Sequence, residues 1–163
     1  MDIRNEWPGD ASAIRALTTA SFATAPHSSG TEAAIIDTLR TAGALHLSLV
    51  ADEGGAILGH VAFSPVSLTP KAQGWFDLGP ISVAQGHQRG GIGSALIRQG
   101  LAALRAQGAA GCVVLGDPRY YGRFGFVAGG LRYPGPPAAY FQAIAFDGPV
   151  PEGIVSYDPA FGA

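Results

Sequence analysis

The chain has 163 residues, of which 47% are hydrophobic, and its formal net charge is −2. This length and composition suit one domain with a full core, and we expect a single domain over residues 1–163. The scattered arginines and the small net charge exclude the basic footprint of a nucleic-acid-binding protein. No apolar run reaches the roughly 20 residues that span a bilayer, so no membrane partner is expected.

The cysteine content and the first residues bear on the cell compartment. Cys112 is the only cysteine, so it cannot form an internal disulfide, and its neighbours in GCVVLG favour a small buried side chain. The opening MDIRNEWPGD lacks the apolar stretch of a secretory signal. These features predict a cytoplasmic protein.

The first part of the chain predicts one strand and two helices. DIRNEW is a short strand, which the following Pro-Gly pair ends. Asp10 is then suited to cap a helix. The inward positions of that helix, at helical spacing, are Ala13, Ile14 and Leu17. After the polar loop TAPHSSG, a second helix begins near Thr31 and ends at Gly43.

The pattern next changes to the alternation of β-strands. Leu45, Leu47 and Leu49 alternate with Ala44, His46 and Ser48, which predicts a strand with one buried and one open face. The turn DEGGA leads into ILGHVAFSPVSL, and the two segments predict a hairpin. GWFDLGPISV is the next predicted strand.

A strand, a helix and a strand follow in that order. The helix has Ile97, Leu101 and Leu104 on one face, and Gly108 ends it. GCVVLG is a short, continuously apolar strand of the kind that is buried on both faces. The order predicts a parallel, right-handed crossover. AIAFDG and GIVSYDPAF predict further strands, so the expected fold class is α+β.

The segment SVAQGHQRGGIGSALIRQG, which joins the strand to that helix, contains a glycine loop. A triphosphate-binding loop would need a lysine after its last glycine, and none is present. A dinucleotide fingerprint would need a glycine at Leu96, and a nucleophile elbow would need glycines at Ile92 and Leu96. The remaining pattern is Q-x-x-G-x-G, formed by Gln88, Gly91 and Gly93.

The physical properties of this loop favour an anion. A helix N-terminus carries free N–H groups and roughly half a positive charge. Glycines let the backbone approach a ligand closely, and Arg89 adds a permanent cation. A pyrophosphate suits this arrangement, and the alternative is a plain turn between a strand and a helix.

Two stretches together resemble the GCN5-related N-acetyltransferases, the GNAT family. ISVAQGHQRGGIGSALI resembles the acetyl-CoA loop of that family. VVLGDPRYYGRFGF resembles the strand and short helix that follow, with Tyr121, Gly125 and Phe126 at the matching positions. The segments AAYFQAIAF and GIVSYDPAF extend the similarity to a YhbS-like subgroup of bacterial N-acetyltransferases, over nearly the whole chain.

The resemblance implies a fold and a cofactor. The fold would be α+β, with a central mixed, mostly antiparallel twisted sheet that splays between its fourth and fifth strands, flanked by about four helices. The backbone of Ile81, Ser82 and Val83 would bind the pantetheine arm of acetyl-CoA as an added strand. The pyrophosphate would be held by Gln88, Arg89, Gly90, Gly91, Ile92, Gly93 and Ser94. Tyr120 would line the cofactor cleft or the core.

Asp117 stands where many members of the family have an asparagine that contacts the pantetheine. Two roles are open to it. It accepts a hydrogen bond from the cofactor, or it caps the short helix that Pro118 begins.

The implied reaction is direct attack of an amine on the thioester, whose carbonyl a strand N–H would polarise. Tyr121 matches the general acid that protonates the CoA thiolate, because a phenol with a pKa of about 10 is protonated at neutral pH. Packing is the alternative role for this ring. Asp77 and Glu32 are the candidate bases. The alternative for Asp77 is a solvated residue on a strand, and the alternative for Glu32 is a carboxylate that stabilises the N-terminus of a helix. No metal is assigned, because one cysteine and scattered histidines give no zinc spacing.

The expected partners are acetyl-CoA and an unidentified amine, and the chain is expected to be a monomer or a homodimer. The amine pocket would involve the loop of residues 25–30 and the segment of residues 133–141, with Phe22, Tyr140 and Phe141 as apolar lining. The predicted activity is acetyl-CoA-dependent N-acetyl transfer. The alternative is a non-catalytic acyl-CoA-binding sensor or regulatory module.

Overall fold

The computed structural model describes residues 1–26 and 28–162. Within them the α-helices are α1 (Ala11–Phe22), α2 (Glu32–Thr41), α3 (Ile92–Ala106) and α4 (Pro118–Tyr121). The first five strands are β1 (Asp2–Asn5), β2 (Leu47–Glu53), β3 (Ala56–Pro65), β4 (Ser67–Thr69) and β5 (Trp75–Val83). The others are β6 (Gly111–Leu115), β7 (Val127–Ala128), β8 (Leu131–Arg132), β9 (Phe141–Ala145) and β10 (Gly153–Ser156).

The described residues form two compact units, and each unit is built from two segments. The first unit contains Met1–Phe63 and Gly79–Gly100. The second contains Ser64–Leu78 and the chain from Leu101 onward. Strand β5 and helix α3 therefore each contribute residues to both units.

The first unit is an antiparallel meander with two helices. Strands β1, β2 and β3 pair in sequence order, and the end of β5 lies beside β3. The predicted hairpin turn is confirmed, since Gly54 and Gly55 both have positive φ. Ile14 of α1 and Ile36 of α2 pack with Val50 and Ala62 into one apolar cluster.

Three details of this unit differ from the sequence-based expectation. Ser48 is buried rather than open, because the first five residues of β2 are buried on both faces of the strand, and its hydroxyl contacts Glu6 and His60. Asp10 precedes α1 but its side chain does not cap that helix. Its carboxylate accepts from the N–H of Trp7 at 2.6 Å, across the short 3-10 turn before α1, and binds the guanidinium of Arg4 at 2.7 Å. Ala13 is exposed, and Thr18 takes a buried position on α1 instead.

The second unit contains the predicted parallel crossover. The residues Trp75–Asp77 of β5 pair in parallel with the first three residues of β6. Strand β6 pairs antiparallel with β9, and β9 pairs antiparallel with β7. The β5–β6 ladder ends at the Asp77–Val113 pair, although β6 continues to Leu115.

A small second sheet, with the order β4-β10-β8, belongs to the same unit. The prediction of one strand over ILGHVAFSPVSL was wrong here. Proline removes a ladder N–H, and the chain leaves β3 at Pro65 to begin β4 in the other sheet. Apolar side chains from both sheets of this unit form one cluster: Leu68, Trp75, Val113, Leu131, Phe141, Ala143 and Val155.

The fold class is therefore confirmed as α+β, with a mixed and mostly antiparallel main sheet and four helices among the described residues. None of the helices in residues 1–26 and 28–162 is long and apolar enough to cross a membrane.

Candidate functional site

The glycine loop of the first unit connects β5 to α3, and hydrogen bonds hold it at both ends. The side-chain amide of Gln88 donates to the carbonyl oxygen of Val83 at 3.3 Å. Helix α3 begins at Ile92, with the N–H of Ala95 donating to the carbonyl of Gly91 at 3.0 Å. The loop residues from Gln88 to Gly91 are exposed, and Ile92 at the start of α3 is buried.

Two residues of this loop have left-handed backbone conformations. Gly91 has φ = 89°, and Arg89 has φ = 69°, the one positive φ of a non-glycine residue in the described chain. A left-handed residue in such a loop turns successive amides toward a common point, which forms an anion-binding concavity. A strained conformation of this kind indicates a functional constraint. The guanidinium of Arg89 and the start of α3 give the loop a positive character.

A cleft of about 340 Å³ lies beside the loop in the same unit. Its walls are Met1, Glu53, Leu58, Gly86, His87, Gln88, Gly90 and Ile92. Gly59 of β3 lets α3 pack closely, since a Cβ atom there would lie 2.7 Å from a methyl carbon of Ile92. The sequence therefore fixes the start of α3 against β3.

The backbone of β5 in this unit presents two different edges. The N–H of Ala84 donates to the carbonyl of Leu58 on β3 at 2.8 Å. Backbone groups alternate along a strand, so Ser82 also directs its groups toward β3, whereas Ile81 and Val83 direct theirs to the opposite edge. Of the three residues predicted to bind pantetheine, Ile81 and Val83 have the suitable direction.

Tyr121 lies at the end of α4 in the second unit. Its ring contacts Gly116, where a Cβ atom would overlap it. The rings of Tyr120 and Phe126 meet it edge-on, at centroid distances of 5.0 and 6.0 Å. These contacts fix the direction of the phenol.

The pKa of Tyr121 is raised above its usual value, chiefly by burial and further by Tyr120, Asp77 and Cys112. The phenol therefore keeps its proton throughout the physiological pH range. Sequence reasoning anticipated a protonated phenol but not the extent of its burial.

Asp77 is a buried carboxyl on β5, at the last pair of the β5–β6 ladder. It is 4% exposed, and burial raises its pKa from 3.8 to about 8. The alternative of a solvated strand residue was therefore wrong. A carboxyl whose pKa lies near neutrality has the property that a general base needs.

Glu32 lies in the first turn of α2, in the first unit. Burial alone would raise its pKa, but bonds from its own N–H, from the N–H of Ser29 and from the hydroxyl of Ser28 outweigh this and lower the pKa. A lowered pKa makes Glu32 a weaker base than Asp77. The neighbouring loop of residues 25–30 includes His27, which lies outside the described residues.

Asp117 performs the capping role that the sequence allowed. Its carboxylate accepts from the N–H of Arg119 at 2.9 Å at the start of α4 and pairs with the Arg119 guanidinium at 3.0 Å. Tyr120 is half-buried, and the guanidinium of Arg123 lies 4.6 Å from its ring centroid.

The residues proposed to line an amine pocket differ in exposure. Tyr140 is 43% exposed, whereas Phe141 is 2% exposed and belongs to the apolar cluster of the second unit. Phe141 therefore does not line a pocket. Phe22, in the first unit, is half-buried at the end of α1.

Sequence reasoning missed several buried polar residues. The side-chain amide of Gln142 donates to the carbonyl of Gly116 at 3.1 Å and supports the turn before α4. Ser64 and Tyr157 have buried hydroxyls in the second unit. These residues follow no motif or spacing, so the sequence carries no signal for them. No metal-binding group of three His, Cys, Asp or Glu residues is found in residues 1–26 and 28–162.

A glycine loop that opens a long helix after a strand, with a tyrosine on a short helix after the next strand, defines the N-acetyltransferase class. The profile of the Acetyltransferase (GNAT) family matches residues 12–126, and the chain belongs to that family. The predicted family and subgroup are confirmed by these comparisons.

Two relatives support this assignment, one of them compared both by sequence and by crystal structure. YhbS of Escherichia coli K12, an uncharacterized N-acetyltransferase, is 38% identical over 146 residues, which cover 86% of this chain and 84% of YhbS. A crystal structure of a GNAT family acetyltransferase from Brucella melitensis in complex with acetyl-CoA has a TM-score of 0.89 and 50% identity, covering 98% of this chain and 97% of its own. The crystal structure of E. coli YhbS in complex with CoA also has a TM-score of 0.89, with 34% identity, 99% coverage of this chain and 92% of its own.

Proposed function

We propose that the protein transfers the acetyl group of acetyl-CoA to a primary amine of a small molecule or a protein. The observation that carries the proposal is the loop from Gln88 to Ser94, whose left-handed Arg89 and Gly91 lead into the start of α3. The Brucella relative, which is 50% identical over 98% of this chain, is a complex with acetyl-CoA.

The loop amides hold the pyrophosphate of the cofactor in this proposal. The two negative charges of the pyrophosphate interact with three features: the positive end of α3, the free N–H groups of the loop and the guanidinium of Arg89. The edge of β5 formed by Ile81 and Val83 binds the pantetheine arm through backbone hydrogen bonds, as an added strand would. Tyr120 and Asp117 complete the cofactor contacts near α4.

The reaction is a direct displacement at the thioester carbonyl. The neutral amine nitrogen forms a bond to the carbonyl carbon, and the carbon–sulfur bond breaks. The nitrogen loses one proton to a base, and the departing sulfur gains one proton from an acid. The products are an N-acetyl amide and CoA thiol, so the reaction needs no oxidant or reductant.

Tyr121 is the proposed acid. Its raised pKa keeps the phenol protonated, and the same burial disfavours a developing thiolate beside it. The thiol of Cys112, in the same unit, has its pKa raised chiefly by burial, which illustrates the effect. The transfer from oxygen to sulfur requires the desolvated thiolate to be at least as strong a base as the buried phenolate.

Asp77 is the proposed base, in preference to Glu32. Its pKa of about 8 gives it the affinity to take a proton from the amine, whereas the lowered pKa of Glu32 does not. A base must be ionised to act, so activity increases with pH up to about the pKa of Asp77.

We further propose one domain that contains both compact units, because the family profile over residues 12–126 includes segments of each. The acceptor is a primary amine with an apolar portion that contacts Phe22 or Tyr140. A reducing, cytoplasmic compartment suits the lone thiol of Cys112. The active form is a monomer or a homodimer.

The test is release of CoA thiol from acetyl-CoA across a panel of amines and amine-bearing peptides. An acetyltransferase releases CoA faster with at least one amine than by hydrolysis alone, and Tyr121→Phe slows that release. A sensor binds acetyl-CoA in calorimetry but releases no CoA with any amine, and this result would overturn the proposed activity.

A further inference from the structure

Three buried oxygen-bearing side chains lie together in the second unit. Asp77 is on β5, Ser64 is at the end of β3, and Tyr157 follows β10. Ser64 is 0% exposed and Asp77 is 4% exposed. None of the three belongs to a motif, and Ser64 and Tyr157 have had no role so far.

Strand register places Ser64 opposite Asp77. The N–H of Val66 donates to the carbonyl of Trp75 at 3.1 Å, which makes these two residues an antiparallel pair. Ser64 lies two residues before Val66, and Asp77 lies two residues after Trp75, so the same antiparallel register pairs Ser64 with Asp77. Directly opposed residues direct their side chains to the same face, with Cβ atoms about 5 Å apart.

Tyr157 reaches the same face from the other sheet of the unit. Its ring packs on the apolar cluster that contains Trp75 and Val113, the neighbours of Asp77 along and across the strand. Burial raises the pKa of Tyr157 well above its usual value, and the nearby Asp77 carboxyl adds to the effect. Tyr157 therefore packs on the cluster that surrounds Asp77, and its phenol lies within electrostatic range of that carboxyl without a hydrogen bond to it.

The polar atoms of this group lack other partners. Within residues 1–26 and 28–162, the hydroxyl oxygens of Ser64 and Tyr157 accept and donate no hydrogen bond. Burial is the one influence on the Asp77 pKa from the same residues. A buried hydroxyl without a partner is costly. Since neither hydroxyl has a partner within hydrogen-bonding distance, we expect each of them to reach the Asp77 carboxyl through a water molecule or a small rotation of its side chain.

We propose that Ser64 and Tyr157 are positioning residues that hold the Asp77 carboxyl in place and adjust its proton affinity for the acetyl transfer. Hydroxyls suit this task because each one both donates and accepts. They donate to the carboxylate before the amine proton arrives and accept from the carboxylic acid afterwards. An arginine or lysine in their place would donate only and would fix the ionised form.

The other titratable groups that face Asp77 do not change charge near neutrality. Cys112 on β6 and Tyr121 on α4 both have their pKa values raised, chiefly by burial. Tyr157 behaves in the same way. Among these groups, Asp77 is therefore the one whose charge changes near neutrality.

The inference rests on the proposed function only because it takes Asp77 as the base. Its test measures the pKa of Asp77, which can be determined without any acetyl transfer. Infrared difference spectra titrate the protonated carboxyl of Asp77 in the whole protein, and loss of the band in Asp77→Asn identifies it. Removing a hydroxyl that donates to the carboxylate raises the pKa, by about one unit for each such bond. We expect this shift in Ser64→Ala and in Tyr157→Phe. Ser67→Ala, an exposed serine on β4, is the matched control and leaves the titration unchanged.

Stability supplies a second readout. If the Tyr157 hydroxyl has no partner, Tyr157→Phe removes a buried unsatisfied group and raises the melting temperature. If it bonds Asp77, the variant melts lower. Unchanged titrations together with a higher melting temperature of Tyr157→Phe would overturn the proposal. Shifted titrations without any acetyl transfer would support the positioning role and overturn the proposed function instead.

Discussion

The ring of Tyr121 lies against the backbone of Gly116, and the two residues are five positions apart around the N-terminus of α4. The backbone of Gly116 is held on both sides, since its N–H donates to the carbonyl of Tyr140 at 2.9 Å and its carbonyl accepts from Gln142 at 3.1 Å. A side chain at position 116 must therefore displace the ring, because the backbone is fixed.

Gly116→Ala is expected to reduce kcat by about tenfold to a hundredfold, because displacing a catalytic group by about 1 Å costs up to that much. The Kd for acetyl-CoA, measured by calorimetry, changes less than kcat. Gly122→Ala is the matched control, since a Cβ atom there meets nothing within 4 Å and its φ is −56°. Equal kcat values for the two variants would show either that Tyr121 is not the acid or that its ring does not lie against Gly116.

Two substitutions at Arg89 can distinguish the effect of its charge from the effect of its left-handed backbone conformation. Arg89→Ala and Arg89→Gly remove the same guanidinium, but alanine is disfavoured at φ = 69° by about 1 kcal/mol and glycine is not. Both variants are expected to bind CoA more weakly than the natural chain, and the loss is smaller at high salt. Arg89→Ala is expected to bind severalfold more weakly than Arg89→Gly.

Calorimetric titration with CoA at two salt concentrations measures these differences. If both variants bind CoA as tightly as the natural chain does, Arg89 has no part in holding the pyrophosphate. If they bind equally weakly, the charge alone matters and the loop does not need the left-handed conformation.

Local patterns made much of this molecule predictable. The alternation of leucines, the glycine loop and the apolar face of α3 each depend on neighbouring residues, and all three were found close to their predicted bounds. The cap formed by Asp117 was one of the two roles that the sequence left open, and it was foreseeable because capping involves residues only two positions away. Tyr121 was found through resemblance rather than pattern.

Features that depend on distant pairing were not predictable. The burial of Ser48 involves Glu6, which is 42 positions away in the sequence, and the second sheet requires β10 to meet β4 across more than half of the chain. The Ser64–Asp77–Tyr157 group arises from the same long-range pairing. Alternation within one strand cannot reveal which polar residue a distant strand will cover.

His60 is expected to make folding sensitive to mild acid. It is 0% exposed, and its Nε2 atom lies 2.7 Å from the Oγ atom of Ser48. Burial lowers its pKa from 6.5 to about 4, so the unfolded chain binds a proton at a pH where the folded chain does not. Stability from this residue is complete above pH 6.5 and is lost as the pH falls toward 4, by about 3 kcal/mol in total.

Chemical denaturation between pH 4.5 and 7 measures this effect against His60→Gln, whose amide can replace Nε2 toward Ser48. Glu6, which bonds Ser48 and Arg40, has a lowered pKa, and its contribution is lost only below about pH 4.5, outside this window. The difference in unfolding free energy between the two chains is expected to change with pH across the window. A constant difference would show that His60 titrates normally.

Asp77 is expected to make the protein less stable at the pH where it is most active. Its folded-state pKa of about 8 exceeds the value of 3.8 for an exposed carboxyl. The folded chain therefore binds a proton that the unfolded chain has released, and the contribution of Asp77 to stability falls as the pH rises from about 4 to about 8. Asp77→Asn removes this dependence, since an amide does not ionise.

The variant is therefore expected to be more stable than the natural chain by about 5 kcal/mol at pH 8, and by little at pH 4. The variant is also expected to lose most of its amine-dependent CoA release, because an amide cannot accept the amine proton. Residues that lower stability are often the ones that an activity requires. Melting curves and rate assays at both pH values measure the two effects. If Asp77→Asn is no more stable at pH 8 and keeps its rate, Asp77 is an ordinary structural residue and another group must accept the amine proton.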